Sequence, residues 1–330
     1  MTEQLSKNLY TKHRLSFNNE GKFKILLFSD VQERTNFDKK TLDCINMMLD
    51  EAKPDLVVLG GDQCMGPDVH SVEDFKKFLS VLASPMEQRK IPWAHIYGNH
   101  DYDLEFEQLL QQSFYEEYPF CISKHTEGIS GVTNFMLPIF KHNSDEVGFS
   151  VWGLDTHRDK YQFAKDYGIE KMVDFKNNST NSSVYDFIKF DQMMWYWNSS
   201  VELERHSGKK IPGLMCMHVA PVEFSLAIDN PEQCALKGYN PEKLDSGVLN
   251  SGIFAEVLQR GDIRCICCGH THMNSFEADL FGIKACFDGS AGLTCYGEAE
   301  TRGGRIFEID EQSPDDVLTY PVFYKDFVTL

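Results

Sequence analysis

Three apolar runs in the first hundred residues each stop at a short polar cluster, and this punctuation leaves the chain few folds to adopt. Lys22–Phe28 ends at Ser29-Asp30, Leu56–Leu59 ends at Gly60-Gly61-Asp62, and 91–97 ends at Gly98-Asn99-His100-Asp101. Between the first two, Leu42, Ile45, Met48, Leu49 and Ala52 recur at helical spacing before Pro54; between the second and third, Phe75, Phe78, Leu79 and Leu82 do the same. Short, wholly apolar runs suit strands buried on both faces, and helices of this length suit parallel crossovers. The pattern predicts β-α-β-α-β. In such a sheet the carboxyl ends of neighbouring strands share one edge, where side chains distant in sequence converge.

The punctuation returns in the second half. Residues 214–217 lead to His218, a helix is expected near 248–258, and 263–268 lead to Gly269-His270-Thr271-His272. Runs at 274–282, 284–289 and 305–309 read as an antiparallel meander that would close a second sheet. Further strands are expected at 134–140 and 148–154, and a long helix at 184–206 carries Trp195 and Trp197 as core or interface anchors. Residues 167–183 are polar enough for an exposed loop, and turn-rich sequence at about 102–147 reads as an insertion on the substrate side. No repeat or linker interrupts the chain, so one domain over 1–330 is expected, with its core at about 22–310.

Composition restricts the function. A formal charge of −18 disfavours broad nucleic-acid binding, while a small anionic substrate is compatible with it if bound cations reverse the field locally. The first thirty residues lack the features of a secretory signal, and no run reaches the roughly 18 apolar residues of a membrane span; a cytoplasmic protein without membrane attachment is expected. The ten cysteines then read as buried thiols rather than a disulfide framework. No feature points to an oligomeric state.

Asp30, Asp62, Asn99, His100, His218, His270 and His272 all follow strand-like runs, mostly beside glycine. Rigid strand ends that open on an edge are where a catalytic metal site is built. Mixed oxygen and imidazole donors suit Mn, Fe, Zn or Co better than Ca or Mg, and Cys64 and Cys268 lack the spacing of a thiolate site. Singly, each residue has an ordinary use: aspartates cap helices and turns, Asn99 suits a left-handed turn, and a histidine can be a hydrogen-bonded core residue. Taken together, that account needs seven coincidences in order. Asp155 and His157 end another strand and are either pocket residues or a loop pair; Glu223 is a weaker candidate.

The order Asp30-Val31-Gln32, Gly61-Asp62, Gly98-Asn99-His100-Asp101, His218, Gly269-His270-Thr271-His272 resembles the calcineurin-like metallophosphoesterase superfamily, over about 24–292. The resemblance implies an α/β fold of two mixed sheets in a sandwich flanked by helices, layered α/β/β/α. It implies two divalent or trivalent transition-metal ions, the first held by Asp30 and His272, the second by Asn99, His218 and His270, with Asp62 bridging. It also implies hydrolysis of a small phosphorylated substrate, a monoester or diester, by in-line attack of a metal-bridging hydroxide. His100 would then protonate the departing oxygen, with Asp101 orienting its ring. Gln32 stands where many members have a ligand histidine, and either binds the first metal weakly or only donates a hydrogen bond. That departure keeps a metal-binding or regulatory pseudo-enzyme as the alternative. The flanking sequence looks most like the small branch related to purple acid phosphatases, but Met65 replaces their iron-binding tyrosine.

Overall fold

The expected strand-helix alternation is present in a computed structural model, which describes residues 12–158, 160–170, 185–247 and 249–328. Most of the loop expected at 167–183 lies outside the described residues.

The first strand-helix units form one half of the sandwich. Strand β2 (Lys22–Phe28) leads through helix α1 (Lys39–Ala52) to β3 (Leu56–Leu59), and α2 (Val72–Arg89) leads to β4 (Trp93–His95). The helix starts are chemically set: Asp38 accepts from the Thr41 N–H at 2.9 Å, and Ser71 Oγ accepts from the Asp74 N–H at 3.1 Å. The three strands pair in parallel, with Phe28 opposite Leu59 and Leu59 opposite His95, so their polar ends fall in register.

The larger sheet runs in the order β1 (Leu15–Ser16), β5 (Phe135–Phe140), β6 (Val147–Leu154), β7 (Gly213–Met217), β9 (Ile263–Cys268), β11 (Ile283–Phe287), β10 (Ser275–Leu280), β8 (Lys237–Tyr239). Strands β6, β7, β9 and β11 are parallel, and Met217 and Phe287 both stand opposite Cys268. His218, Gly269 and Asp288 therefore leave the sheet at one level. The excursion after β4 contains α3 (Gln108–Glu116) and ends before β5, which lies inside the sheet.

The expected meander divides between the sheets. Strands β10 and β11 form a hairpin around Phe281-Gly282, both with positive φ, and β11 lies parallel to β9. The third run, β12 (Gly303–Asp310), instead pairs antiparallel with β2 and with β13 (Leu318–Phe323), completing the small sheet in the order β13-β12-β2-β3-β4. Residues 303–307 are all buried, as a central strand covered on both faces must be. The connection 288–302 consequently crosses the open edge of the sandwich.

Ile25, Leu27 and Val58 of the small sheet meet Val151, Leu214 and Cys267 of the large one in the central core. Outside the small sheet, α1 and α2 cover Leu26, Phe28 and Val57; outside the large one, α5 (Phe190–Ser207) and α7 (Ile253–Arg260) cover Trp152, Met215 and Ile266. The short α4 (Lys160–Asp166) and α6 (Ser225–Asp229) lie in the connections. The α/β/β/α layering expected from the resemblance is thus present, and Trp195 packs edge-on against Trp152 in the core. All ten cysteines are free thiols, eight of them buried.

Candidate metal centre

The strand ends of both sheets deliver their polar side chains to one place. Asp30, Asp62 and His270 hold left-handed backbone conformations, with φ of 52°, 52° and 71°. Such angles cost a non-glycine residue of order 1 kcal/mol or more and concentrate at functional sites. Neighbouring glycines permit the crowding: a Cβ on Gly98 would stand 2.2 Å from Asp62 Oδ1, and one on Gly269 2.3 Å from Ser29 Oγ.

His218 Nε2 lies 3.3 Å from Asp62 Oδ2 and 3.8 Å from Asp30 Oδ1, while His272 Nε2 lies 3.2 Å from Asp30 Oδ1. The rings of His218 and His270 are 5.3 Å apart, and donor atoms of Asp62, His218 and His270 all fall within 4.8 Å of one another. Four of the ligand candidates are anchored through an outward-facing atom. Asp62 Oδ1 accepts the His100 main-chain N–H at 2.7 Å, and Asp30 Oδ2 accepts that of His270 at 2.9 Å. His218 Nδ1 meets the Gly60 carbonyl at 2.9 Å, and His272 Nδ1 meets that of Tyr296 at 2.7 Å. A carbonyl only accepts, so both Nδ1 atoms carry a proton and both Nε2 atoms face inward, where loss of the Nε2 proton would present a lone pair to a metal.

The inward atoms lack partners. Asp30 Oδ1, Asn99 Oδ1, His218 Nε2 and His270 Nε2 are buried without a hydrogen bond. Leaving one such group unsatisfied costs about 1–3 kcal/mol, and the neighbouring atoms of Asp30, His218 and His270 fit bound cations.

Charge reinforces the same reading. Burial opposes charging of His218 and His272, but Asp62 and Asp30 outweigh it for the first and Asp30 for the second, raising them to about 10 and about 11. His270 drops to about 3, through burial and then repulsion from His218. Burial would raise Asp30 and Asp62, yet the surrounding imidazoles hold both below the usual carboxylate range. Protons on imidazole here occupy the place of cations. Two histidines with folded values above the unfolded ~6.5 contribute stability that is complete below ~6.5 and fades as pH rises toward 10. Metal-free protein should therefore lose melting temperature over that interval. The added stabilisation by Mn or Zn should grow over it, as ligands lose competing protons; melting curves with and without metal check both slopes.

Gln32 also reaches the centre, with φ of 42°. Its Nε2 donates to Asp62 Oδ2 at 3.1 Å and lies 3.3 Å from His272 Nε2. Asp101 does not orient the His100 ring as expected. It is buried, and its carboxylate accepts main-chain N–H groups of Gln63, Cys64 and Gly98. His100 Nδ1 instead meets Asp103 Oδ2 at 2.7 Å, because residues 100–103 form a 3-10 turn, which stacks i on i+3. Burial lowers His100, but Asp62 and Asp103 outweigh it and raise the ring to about 9.

Asp155 and His157 do not form a pocket pair. Asp155 is fully buried and accepts from Tyr102 Oη and the Val132 N–H, while His157 Nε2 meets Gln192 Oε1 at 2.7 Å. Glu223 accepts from Asn250. Cys64 is buried against Asp101.

Several residues at the centre were not singled out from sequence. Asp288 is buried beside Ser29, whose hydroxyl lies 3.0 Å from Asp288 Oδ1 and 2.5 Å from Asp30 Oδ2; burial and then Asp30 raise Asp288 well above the ordinary range. Phe287-Asp288-Gly289 repeats the strand-Asp-Gly punctuation and was readable on that ground. Tyr296 stacks on His272 with ring centroids 3.9 Å apart, Tyr185 meets His270 edge-on at 4.6 Å, and Asp245 Oδ2 lies 4.0 Å from His270 Nε2. Tyr296 and Asp245 come from loops with no periodic signal, and Tyr185 precedes α5, which begins at Phe190 rather than at the expected 184.

A model of the family described as Calcineurin-like phosphoesterase matches residues 23–274. An Arabidopsis thaliana protein named "Probable inactive purple acid phosphatase 29" is 28% identical, the alignment covering 91% of this chain and 79% of the relative. The Saccharomyces cerevisiae protein "Phosphatase DCR2" is also 28% identical, over 80% of this chain and 46% of its own. Among solved structures, a dimetal phosphatase from Danio rerio superposes with a TM-score of 0.54 at 12% identity, covering 90% of this chain and 98% of that one, a likeness of fold. Because the family match spans three quarters of the chain and every strand end from Asp30 to His272, this chain belongs to the calcineurin-like phosphoesterase family.

Proposed function

We propose that this protein is a metal-dependent phosphoesterase with a dinuclear centre. Asp30 and His272 hold one cation, Asn99, His218 and His270 the other, and Asp62 faces both. The observation that carries this reading is the set of four buried, unpartnered inward atoms on Asp30, Asn99, His218 and His270. When bound, the cations supply the positive charge that makes water a nucleophile at neutral pH and offsets charge on the phosphoryl oxygens.

The chain's own groups do the rest. Main-chain N–H groups of His100 and His270 fix the two carboxylates, and the Gly60 and Tyr296 carbonyls fix two imidazoles, so the ligand set is organised before substrate arrives. His100, whose Nδ1 meets Asp103 Oδ2 at 2.7 Å, delivers a proton to the departing oxygen.

A second reading is a metal-binding protein without turnover. Gln32 offers a neutral amide beside Asp62 and His272, and a similar plant protein carries the word inactive in its name. Metal analysis separates the two. The enzyme reading expects two Mn, Fe, Zn or Co ions per chain, and Gln32→His raises affinity for the weaker ion by about tenfold without altering the tighter. One ion or none in protein refolded with excess metal would overturn the dinuclear assignment.

A further inference from the structure

Arg158 stands apart among the arginines that are at least partly buried. In a chain with 50 acidic residues against 32 basic ones, Arg34, Arg89, Arg260 and Arg264 each hold a carboxylate, and Arg302 and Arg305 hold main-chain carbonyls. Arg158 is half-buried, and its guanidinium lies over the Tyr102 ring, 5.6 Å from its centroid. Among the described residues none of its N–H donors meets an acceptor and no carboxylate pairs with it. Stacking engages the face of a guanidinium and leaves its edge of donors open. Partial burial of a cation without an anion is unfavourable, so the arrangement suits a partner that arrives with the ligand.

Three contacts place this residue at the rim of the metal centre. Tyr102, beneath it, belongs to the same 3-10 turn as His100. The Arg158 carbonyl accepts the Asp186 N–H at 3.4 Å, and the preceding Tyr185 packs on His270. Thr156, two residues earlier, accepts the N–H of Val219, which follows His218. Charge around the rim is uneven. Asp245 stands at the His270 side, 4.0 Å from its Nε2, and repels an anion there; Asp186, near Arg158, is neutralised by Lys189.

We propose that Arg158 receives an anionic substituent on the leaving group, so that the preferred substrate is a phosphate ester carrying a second negative charge. This rests on the phosphoesterase reading, in which His100 protonates the leaving oxygen: Arg158 lies over the turn that carries His100, on the leaving-group side. A carboxylate or a second phosphate supplies the required pair of oxygens, and a guanidinium holds either through two parallel hydrogen bonds.

Equilibrium binding tests this independently of turnover. Metal-loaded protein is titrated with benzylphosphonate and with 4-carboxybenzylphosphonate, neither of which can be hydrolysed. Wild-type protein should bind the carboxylated ligand about tenfold or more tightly, the effect of a charge-assisted hydrogen bond. Arg158→Gln should bring the ratio of the two dissociation constants close to unity, and Arg158→Lys should keep part of the preference. Equal weakening of both ligands would place Arg158 at the phosphoryl group and overturn the proposal, as would a wild type with no preference. Hydrolysis of phenyl phosphate, followed in parallel, reports separately on the phosphoesterase reading. Preference without turnover sinks that reading alone, turnover without preference sinks the Arg158 assignment alone, and binding of neither phosphonate sinks both.

Discussion

Asp62→Asn should lower kcat/KM for a phosphate monoester by about a thousandfold, equivalent to roughly 4 kcal/mol of transition-state stabilisation. The substitution keeps the shape of the side chain. Its amide oxygen can still accept the His100 main-chain N–H that now reaches Asp62 Oδ1 at 2.7 Å. What changes is the inward atom, Oδ2, which stands 3.3 Å from His218 Nε2 and 3.1 Å from Gln32 Nε2. An amide N–H₂ there presents hydrogens to a position that would need a lone pair, and it removes the full negative charge that would face the two proposed cations. Bound metal should therefore fall together with rate, while circular dichroism and melting temperature of the metal-free protein show that the fold is kept. A variant that retains both ions and works within about threefold of wild type would sink the bridging role of Asp62.

How much of this was legible from the chain follows from where the signals lie. The ligand candidates were readable because each sits directly after a short buried strand, and strand register then does the rest: Phe28 opposite Leu59 and Met217 opposite Cys268 bring Asp30, Asp62, His218 and His270 to one edge. The strand-helix alternation was readable for the same reason, since two-sided burial of strands and one-sided burial of helices leave distinct periodicities, whereas the layering was implied by the family resemblance. Pairing partners were not. Strand β12 looks like a continuation of the β10–β11 hairpin, and only the packing of its wholly buried first half between β2 and β13 assigns it to the other sheet. The partner of His100 was missed because the choice between Asp101 and Asp103 depends on whether the chain turns with three residues per turn there. Tyr296 and Asp245 lie on irregular connections, where sequence carries no period to read.

The loop 288–302 has a consequence for how the centre is held together. Arg302 bonds the Ser290 hydroxyl, the Gly292 carbonyl and the Cys295 carbonyl, drawing the loop over Asp30, whose carbonyl accepts from the Gly292 N–H at 3.0 Å. The same loop supplies the Tyr296 carbonyl that sets the His272 tautomer and the ring that stacks on it. Crossing from one sheet to the other thus couples the two halves of the sandwich at the ligands themselves, which is why β12 must pair with β2 for the centre to be complete.

The turn after β4 separates a chemical role from a structural one. His100→Ala should reduce kcat about 100- to 10,000-fold on an alkyl phosphate, whose alkoxide cannot leave unprotonated, and far less on nitrophenyl phosphate, whose leaving group needs no proton. Asp103→Asn should act through the ring it touches at 2.7 Å. Asp103 favours the imidazolium, so its loss lowers the pKa of His100, and the alkaline limb of the alkyl phosphate kcat profile should move to lower pH while kcat on nitrophenyl phosphate changes little. Asp101→Ala should behave differently again. Asp101 is wholly buried and raised to about 7, by burial and then by Asp62, and it is the acceptor for the main-chain N–H groups of Gln63, Cys64 and Gly98. Removing it strands those donors at about 1–3 kcal/mol each, a loss that melting temperature reads directly. An alkaline limb that shifts in Asp101→Asn and stays put in Asp103→Asn would reverse the assignment of the two carboxylates.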